Sequence, residues 1–178
     1  TGPALAGLGR VLAALRAGSG HDFSLYKKST IGRRVERRMA QHHLDDADAY
    51  LRFMKDHPEE LPALFRELLI NVTRFFRDPD AFEVLKRKVL PALLDGRPET
   101  YTLRIWVAGC ATGEEVYSVA IAVREWMDES HREFKVQLYG TDLDDDAIRL
   151  ARAALYPPGI AQDLSPERLR RYFTKEEG

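Results

Sequence analysis

The stretch IWVAGCATGEEVYS (Ile105–Ser118) joins a β-type run to a helical run through a loop of small residues. Gly109, Ala111 and Gly113 recur two apart, the pattern of a backbone bent tightly around a ligand at the head of a helix. LRIWVA (103–108) predicts the strand and residues 113–127 the helix behind the loop; FKVQLYG (134–140) predicts a second strand and 144–154 a second helix. A β-α-β-α order implies a parallel sheet with helical crossovers, so the fold class read from this half is α/β. Asp142 lies just past the second strand, where an ionised carboxylate can accept both hydroxyls of an adenosine ribose.

Three ligand classes suit such a loop: a nucleoside triphosphate, a dinucleotide and S-adenosylmethionine. A triphosphate is disfavoured because the loop has no Gly-Lys-Ser/Thr and carries Glu114 and Glu115 at the helix N-terminus, where they repel phosphate. A dinucleotide meets the same objection less strongly. A ligand with an adenosine and a cationic end fits best, because two carboxylates attract the sulfonium and ammonium of S-adenosylmethionine. Cys110 sits beside those acids, which raise a thiol pKa, and no histidine is near it in sequence, so it is not read as a nucleophile.

The 178 residues, 44% hydrophobic and 31% charged, read as a soluble globular chain with no membrane-spanning run. One cysteine excludes an internal disulfide, and the five histidines show no metal-ligand spacing, so no metal is expected and the location is read as cytoplasmic. Residues 1–77 carry 13 Lys and Arg against 9 Asp and Glu, and the remainder 14 against 19, which hints at two functional parts.

The front part reads as helical. Leu5, Leu8, Leu12 and Leu15 keep helical spacing up to Gly18-Ser19-Gly20. STIGRRVERRMAQHH places Ile31, Val35 and Met39 on one stripe, flanked by Arg33/Arg37 and Arg34/Arg38. DDADAYLRFMKDH predicts a third helix, and PALFRELLINV a fourth with Leu64, Leu68 and Val72 facing inward. Asp78-Pro79 is a helix start with an acid as N-cap, followed by Phe82, Leu85, Val89 and Leu93 and an end near Asp95-Gly96. SPERLRRYF closes with Ser165 as cap and Pro166 in the first turn.

Four segments together, LLINVTRFFRDPDAF, IWVAGCATGEEVYSVAI, YGTDLDDDAIRLAR and YPPGIAQDLSPERLRRYF, resemble the CheR chemotaxis methyltransferases, in order and at similar spacing. The resemblance implies a helical N-terminal domain (1–77), a linker helix and connector (78–100), and the first half of a class I, Rossmann-like methyltransferase domain (101–178). It implies S-adenosylmethionine as cofactor, S-adenosylhomocysteine as product, and methylation of glutamate side chains on the cytoplasmic domain of a methyl-accepting chemoreceptor. Asn71, Thr73 and Arg77 would then approach the cofactor from the linker, Glu115 its methionine end and Asp142 its ribose, with Gly109, Ala111 and Gly113 as the close-approach loop. Arg77 is the catalytic candidate, because its planar fork can hold a carboxylate bidentately. Arg33, Arg34, Arg37 and Arg38 correspond to the segment facing the acidic receptor.

The wording around YPPGIA is nearest to members fused to a CheB-type methylesterase, so a fused or separate esterase is an expected partner, whereas nucleic acid and membrane insertion are not. Val116 stands where the family has Pro. The family pattern also continues through further strands and a small β-subdomain, so the chain reads as truncated, with turnover by it alone in question. A glutamate with pKa about 4.3 is ionised at neutral pH, so methyl transfer needs no general base, in keeping with the lack of a His/Asp or Cys/His pair. Two other classes compete: a non-catalytic docking module that uses the arginine face, and a nucleotide-dependent oxidoreductase on the same βαβ unit.

Overall fold

A computed structural model describes residues 3–69 and 72–176; of residues 3–6 it describes the backbone only. The chain divides into two compact units, Thr1–Ile70 and Asn71–Gly178. The boundary expected from the sequence falls after Arg77. The difference lies in the linker, where Phe75 and Phe76 are buried against side chains of the second unit.

The first unit packs α1 (Pro3–Ser19), α2 (Lys28–Gln41), α3 (Ala47–Asp56) and α4 (Glu60–Leu68) around one core. Ile31, Val35 and Met39 recur every fourth residue on α2 and are at most 3% exposed, so this stripe meets Leu8, Val11 and Leu15 of α1 and Leu64 and Leu68 of α4. Asp46 caps α3 by accepting the Ala49 N–H at 2.7 Å. Val72, expected to face inward on the fourth helix, is 68% exposed. The helix stops at Leu68, before the i+4 repeat reaches Val72.

One polar cluster sits inside this apolar packing. Glu60, at the first position of α4, is 2% exposed. Its carboxylate accepts the Tyr50 hydroxyl at 2.6 Å and Arg38 Nε at 2.9 Å, pairs again with Arg38 Nη2, and lies 3.0 Å from His42 Nε2. Burial pushes the Glu60 carboxyl up, but the hydrogen bonds from Arg38 and Tyr50 outweigh it and the net shift is downward. Burial, then the bond to Glu60, pushes the Tyr50 hydroxyl well up. The carboxylate thus ties α2, α3 and α4 together.

The second unit opens with α5 (Pro79–Val84), a π-helical turn (Leu85–Val89) and α6 (Leu90–Leu94). Pro79 occupies the first turn as expected, but the Asp78 side chain makes no cap hydrogen bond. The π-turn also changes which residues face inward. It holds one more residue than an α-turn, so the buried positions become Leu90 and Leu94, while Val89 and Leu93 are 39% and 53% exposed.

β1 (Thr102–Ala108) and β2 (Lys135–Thr141) pair in parallel, from Thr102↔Lys135 to Ala108↔Thr141, and α7 (Glu114–Ser130) makes the crossover. Alternation along β1 sends Leu103 and Val107 into a core with Leu90, Leu94, Val119, Val123 and Trp126. The opposite sheet face carries Trp106 and its register partner Tyr139, 70% and 50% exposed. The other side of α7 contributes Tyr117 and Ile121 to an aromatic cluster with Phe75, Phe76, Tyr156 and Phe173. α8 (Asp145–Ala153), a 3-10 turn (Pro158–Gln162) and α9 (Pro166–Tyr172) complete the unit. Ser165 caps α9 as expected, accepting the Arg168 N–H. No described helix is long and apolar enough to cross a membrane.

Removing one member of a buried ion pair strands its partner. Glu60→Gln is therefore expected to destabilise the helical unit by about 3 kcal/mol, read from the shift of its urea unfolding midpoint. The pH profile should follow the two shifts. Glu60, lowered in the folded state, contributes stability above the ordinary 4.5 that is lost as pH falls through its folded value. Tyr50, raised, contributes stability below the ordinary 10.0 that is lost as pH climbs beyond it. Thermal melts across pH should show both limbs, and Glu60→Gln should flatten the acid one.

Candidate functional site

The loop between β1 and α7 turns because alternate residues take left-handed backbone. Gly109, Ala111 and Gly113 have φ of +69°, +46° and +95°. Ala111 is not a glycine, and its conformation is held by a side chain from the neighbouring strand: the Ala111 N–H donates to Asp142 Oδ2 at 2.8 Å. Asp142 Oδ1 accepts the Asp144 N–H at 2.9 Å, and Asp144 in turn caps α8 through the N–H groups of Asp146 and Ala147. The Cys110 N–H donates to the Thr141 carbonyl at 3.0 Å. The carboxyl ends of both strands are thus laced together, at the place where open α/β sheets take ligands.

The three small residues have different reasons to be small. A Cβ on Gly113 would sit 3.0 Å from both Ala151 Cβ and Tyr156 Oη, so this glycine lets α8 and Tyr156 close on the loop. A Cβ on Gly109 would meet nothing within 4 Å, so only here does the small residue face open space. Gly140, which the sequence reading passed over, admits the loop to the strand: its Cβ would lie 2.9 Å from Val116 Cγ2 and 3.1 Å from Cys110 Sγ.

Glu115 is exposed at the first turn of α7, and Glu114 is half-buried with its carboxylate accepting the Thr112 hydroxyl at 2.6 Å. Burial, then Asp142 and Glu115, pushes the Cys110 thiol up, so it stays protonated and a poor nucleophile. Tyr156 donates to the Thr112 carbonyl at 2.8 Å, and burial followed by Glu114 keeps its hydroxyl protonated well beyond its ordinary value. Asp142 uses each oxygen once, which leaves lone pairs for a vicinal diol. Two acidic side chains, a carboxylate with spare acceptor capacity and an open glycine form a donor set that fits a ligand with an adenosine and a cationic tail.

The linker reaches the same helix head. Phe75 and Phe76 are 2% and 8% exposed, and the Phe76 N–H donates to Ser118 Oγ at 2.9 Å. Thr73 is half-buried. Arg77 is exposed and donates to the Val72 carbonyl at 3.0 Å; it makes no ion pair with Asp78 or Asp80 among the described residues. Asn71 lies outside the described residues. Gly109, Ala111, Gly113 and Glu115 therefore follow one another around a single turn that Asp142 braces, with Gly113 closed over by Tyr156, and the segment carrying Thr73 and Arg77 is pinned one turn further along α7.

The four arginines of α2 divide. Arg38 is committed to Glu60, and Arg34 donates to the Glu67 carbonyl at 2.6 Å. Arg33 and Arg37 are exposed; Arg37 lies 3.3 Å from Glu67 Oε1, and Arg33 makes no ion pair among the described residues. Ser118 and Tyr156 were missed at the sequence level. The signal for Tyr156 was the YPPG break itself, and for Ser118 a hydroxyl four residues after Glu114 on a face otherwise aromatic and aliphatic.

Residues 6–69 match the CheR methyltransferase all-alpha domain, and residues 71–178 match the CheR methyltransferase SAM binding domain, so S-adenosylmethionine is the cofactor of the second unit. An uncharacterized 104.1 kDa protein of Rhodobacter capsulatus is 39% identical over 96% of the chain, which covers 18% of that protein. The chemotaxis protein methyltransferases of Salmonella typhimurium and Escherichia coli are each 30% identical over 86% of the chain, which covers 51% of either. The chain thus spans about half the length, or less, of these curated relatives. Both units carry the family's domains in the family's order, and the chain belongs to the CheR methyltransferase family.

Proposed function

We propose that the protein transfers a methyl group from S-adenosylmethionine to glutamate side chains on the cytoplasmic domain of a chemoreceptor. The observation that carries the reading is the acidic mouth after β1, where Asp142 shapes the loop and keeps acceptor capacity for a ribose, and where Glu115 stands exposed at the helix head. The names of the Salmonella and Escherichia relatives support the link to chemotaxis.

The bound cofactor supplies an electrophilic methyl on a sulfonium. The chain's own residues supply position. Asp142 accepts from the ribose hydroxyls, Glu115 attracts the cationic methionine end, and Gly109 gives the open face against which the ligand lies. Thr73 approaches from the linker. Arg77 orients a carboxylate through its fork, and with a glutamate already ionised the rate comes from alignment and partial loss of water. On α2, Arg33 and Arg37 are the charges available to an acidic receptor surface, whereas Arg34 and Arg38 serve the helical unit itself.

Calorimetry on the protein at its full encoded length should show S-adenosylhomocysteine binding in the micromolar range, and no fluorescence change on titration with NADH. Asp142→Ala, which removes both the diol acceptor and the loop anchor, should weaken that binding at least about tenfold. A folded protein that does not bind S-adenosylhomocysteine sinks the reading. Arg33→Glu with Arg37→Glu should abolish capture by a receptor cytoplasmic fragment while lowering the melting temperature only slightly, because the Arg37 side of its pair with Glu67 is largely exposed. Arg38→Glu should instead lower that temperature, because it places two carboxylates together in the buried cluster.

A further inference from the structure

Ser118 is 0% exposed and its hydroxyl is fully used. It donates to the Glu114 carbonyl at 2.7 Å, within α7, and accepts the Phe76 N–H at 2.9 Å, from a segment 42 residues away in sequence. No other residue of α7 bonds to the backbone of residues 72–77 among the described residues.

What it holds is strained. Phe76 has φ of +48°, a left-handed conformation that bulky L-residues rarely adopt. Its ring is caged by Phe82, with centroids 4.9 Å apart, and by the Arg168 guanidinium 3.9 Å above it. Arg168 is itself fixed on Glu125 by bonds of 2.7 and 2.9 Å. Phe75 is gripped edge-on by Tyr156 and Phe173, at 4.9 and 5.4 Å. The two rings hold this turn in place, but a ring cage leaves the peptide plane free to tilt. The backbone bond to Ser118 fixes that plane. The next residue is Arg77, and a dihedral change at Phe76 swings everything after it.

We propose that Ser118 is a positioning residue for methyl transfer: it locks the strained Phe76 peptide to the cofactor helix and so sets the direction of Arg77. This rests on the methyltransferase reading above. The hydroxyl couples the two segments of the candidate site, the mouth that takes the cofactor and the linker that carries the carboxylate-orienting fork. Ser118→Ala removes one atom and both hydrogen bonds while leaving the rings of Phe75 and Phe76 in their cages.

The test uses the protein at its full encoded length, with tritiated S-adenosylmethionine and a chemoreceptor cytoplasmic fragment. Ser118→Ala is expected to keep a cooperative melt, to bind S-adenosylhomocysteine at one site per chain, and to keep KM for S-adenosylmethionine within about twofold while kcat falls about tenfold. In an Arg77→Lys background the same substitution should change kcat by less than about twofold, because the fork it aims is already gone. A general loss of folded protein would cost the same factor in both backgrounds. Ser118→Thr, which restores a hydroxyl, should recover most of kcat. Wild-type-like kcat in Ser118→Ala overturns the proposal, as does an equal loss in both backgrounds. If Ser118→Ala does not fold, Ser118→Cys, close in size and a weak donor, must show the same split between backgrounds, and its failure to do so overturns the proposal. A wild-type protein that neither binds nor transfers overturns the functional reading, and this proposal with it.

Discussion

The carboxylate of Asp142 is the point on which the second unit's architecture turns. Parallel strands deliver their carboxyl ends side by side with unpaired backbone groups, and something must close them. Asp142 does so by accepting one N–H from the loop after β1 and another from its own turn before α8. It thereby holds Ala111 in left-handed backbone that a non-glycine avoids, which sets where α7 begins. The direction of α7 in turn decides which residues face the sheet and which face the linker.

That helix works on two fronts. Val119, Val123 and Trp126 fill the sheet-side core, and Tyr117, Ser118 and Ile121 serve the aromatic side. Burial on both sides leaves the ends of the helix as the parts open to solvent, with Glu115 exposed at its head and Glu129 in its last turn. The helical unit follows the opposite plan, with its polar cluster at the centre. Glu60 collects a phenol, a guanidinium and an imidazole where an apolar residue would pack as tightly, and so fixes which face of α2 turns outward.

Much of this was legible in the sequence because it follows from periodicity and end signals. The stripe Ile31, Val35 and Met39, the Ser165-Pro166 start and the βαβ order each depend on neighbours within one or two turns. The features that were not legible depend on partners far away in sequence. Arg38 looked like one more exposed arginine until α4 brought Glu60 to it. Val89 and Leu93 kept perfect helical spacing, and a π-turn just ahead of Pro91, which has no N–H for the carbonyl four residues back, moved them outward. Gly113 was read as room for a ligand, yet it is room for Tyr156, which approaches from a later segment. The loop's location and acidity could be read locally, whereas the division of labour within it could not.

The uneven dressing of the two sheet faces also gives the protein a built-in optical contrast. It has two tryptophans. Trp126 lies in the core at 7% exposure, stacked on Phe134, and Trp106 stands on the open face at 70%, its indole N–H on Thr141 Oγ1. One indole therefore emits from an apolar setting and the other from water. Anything that comes to cover the open sheet face shifts the second to the blue and leaves the first where it was.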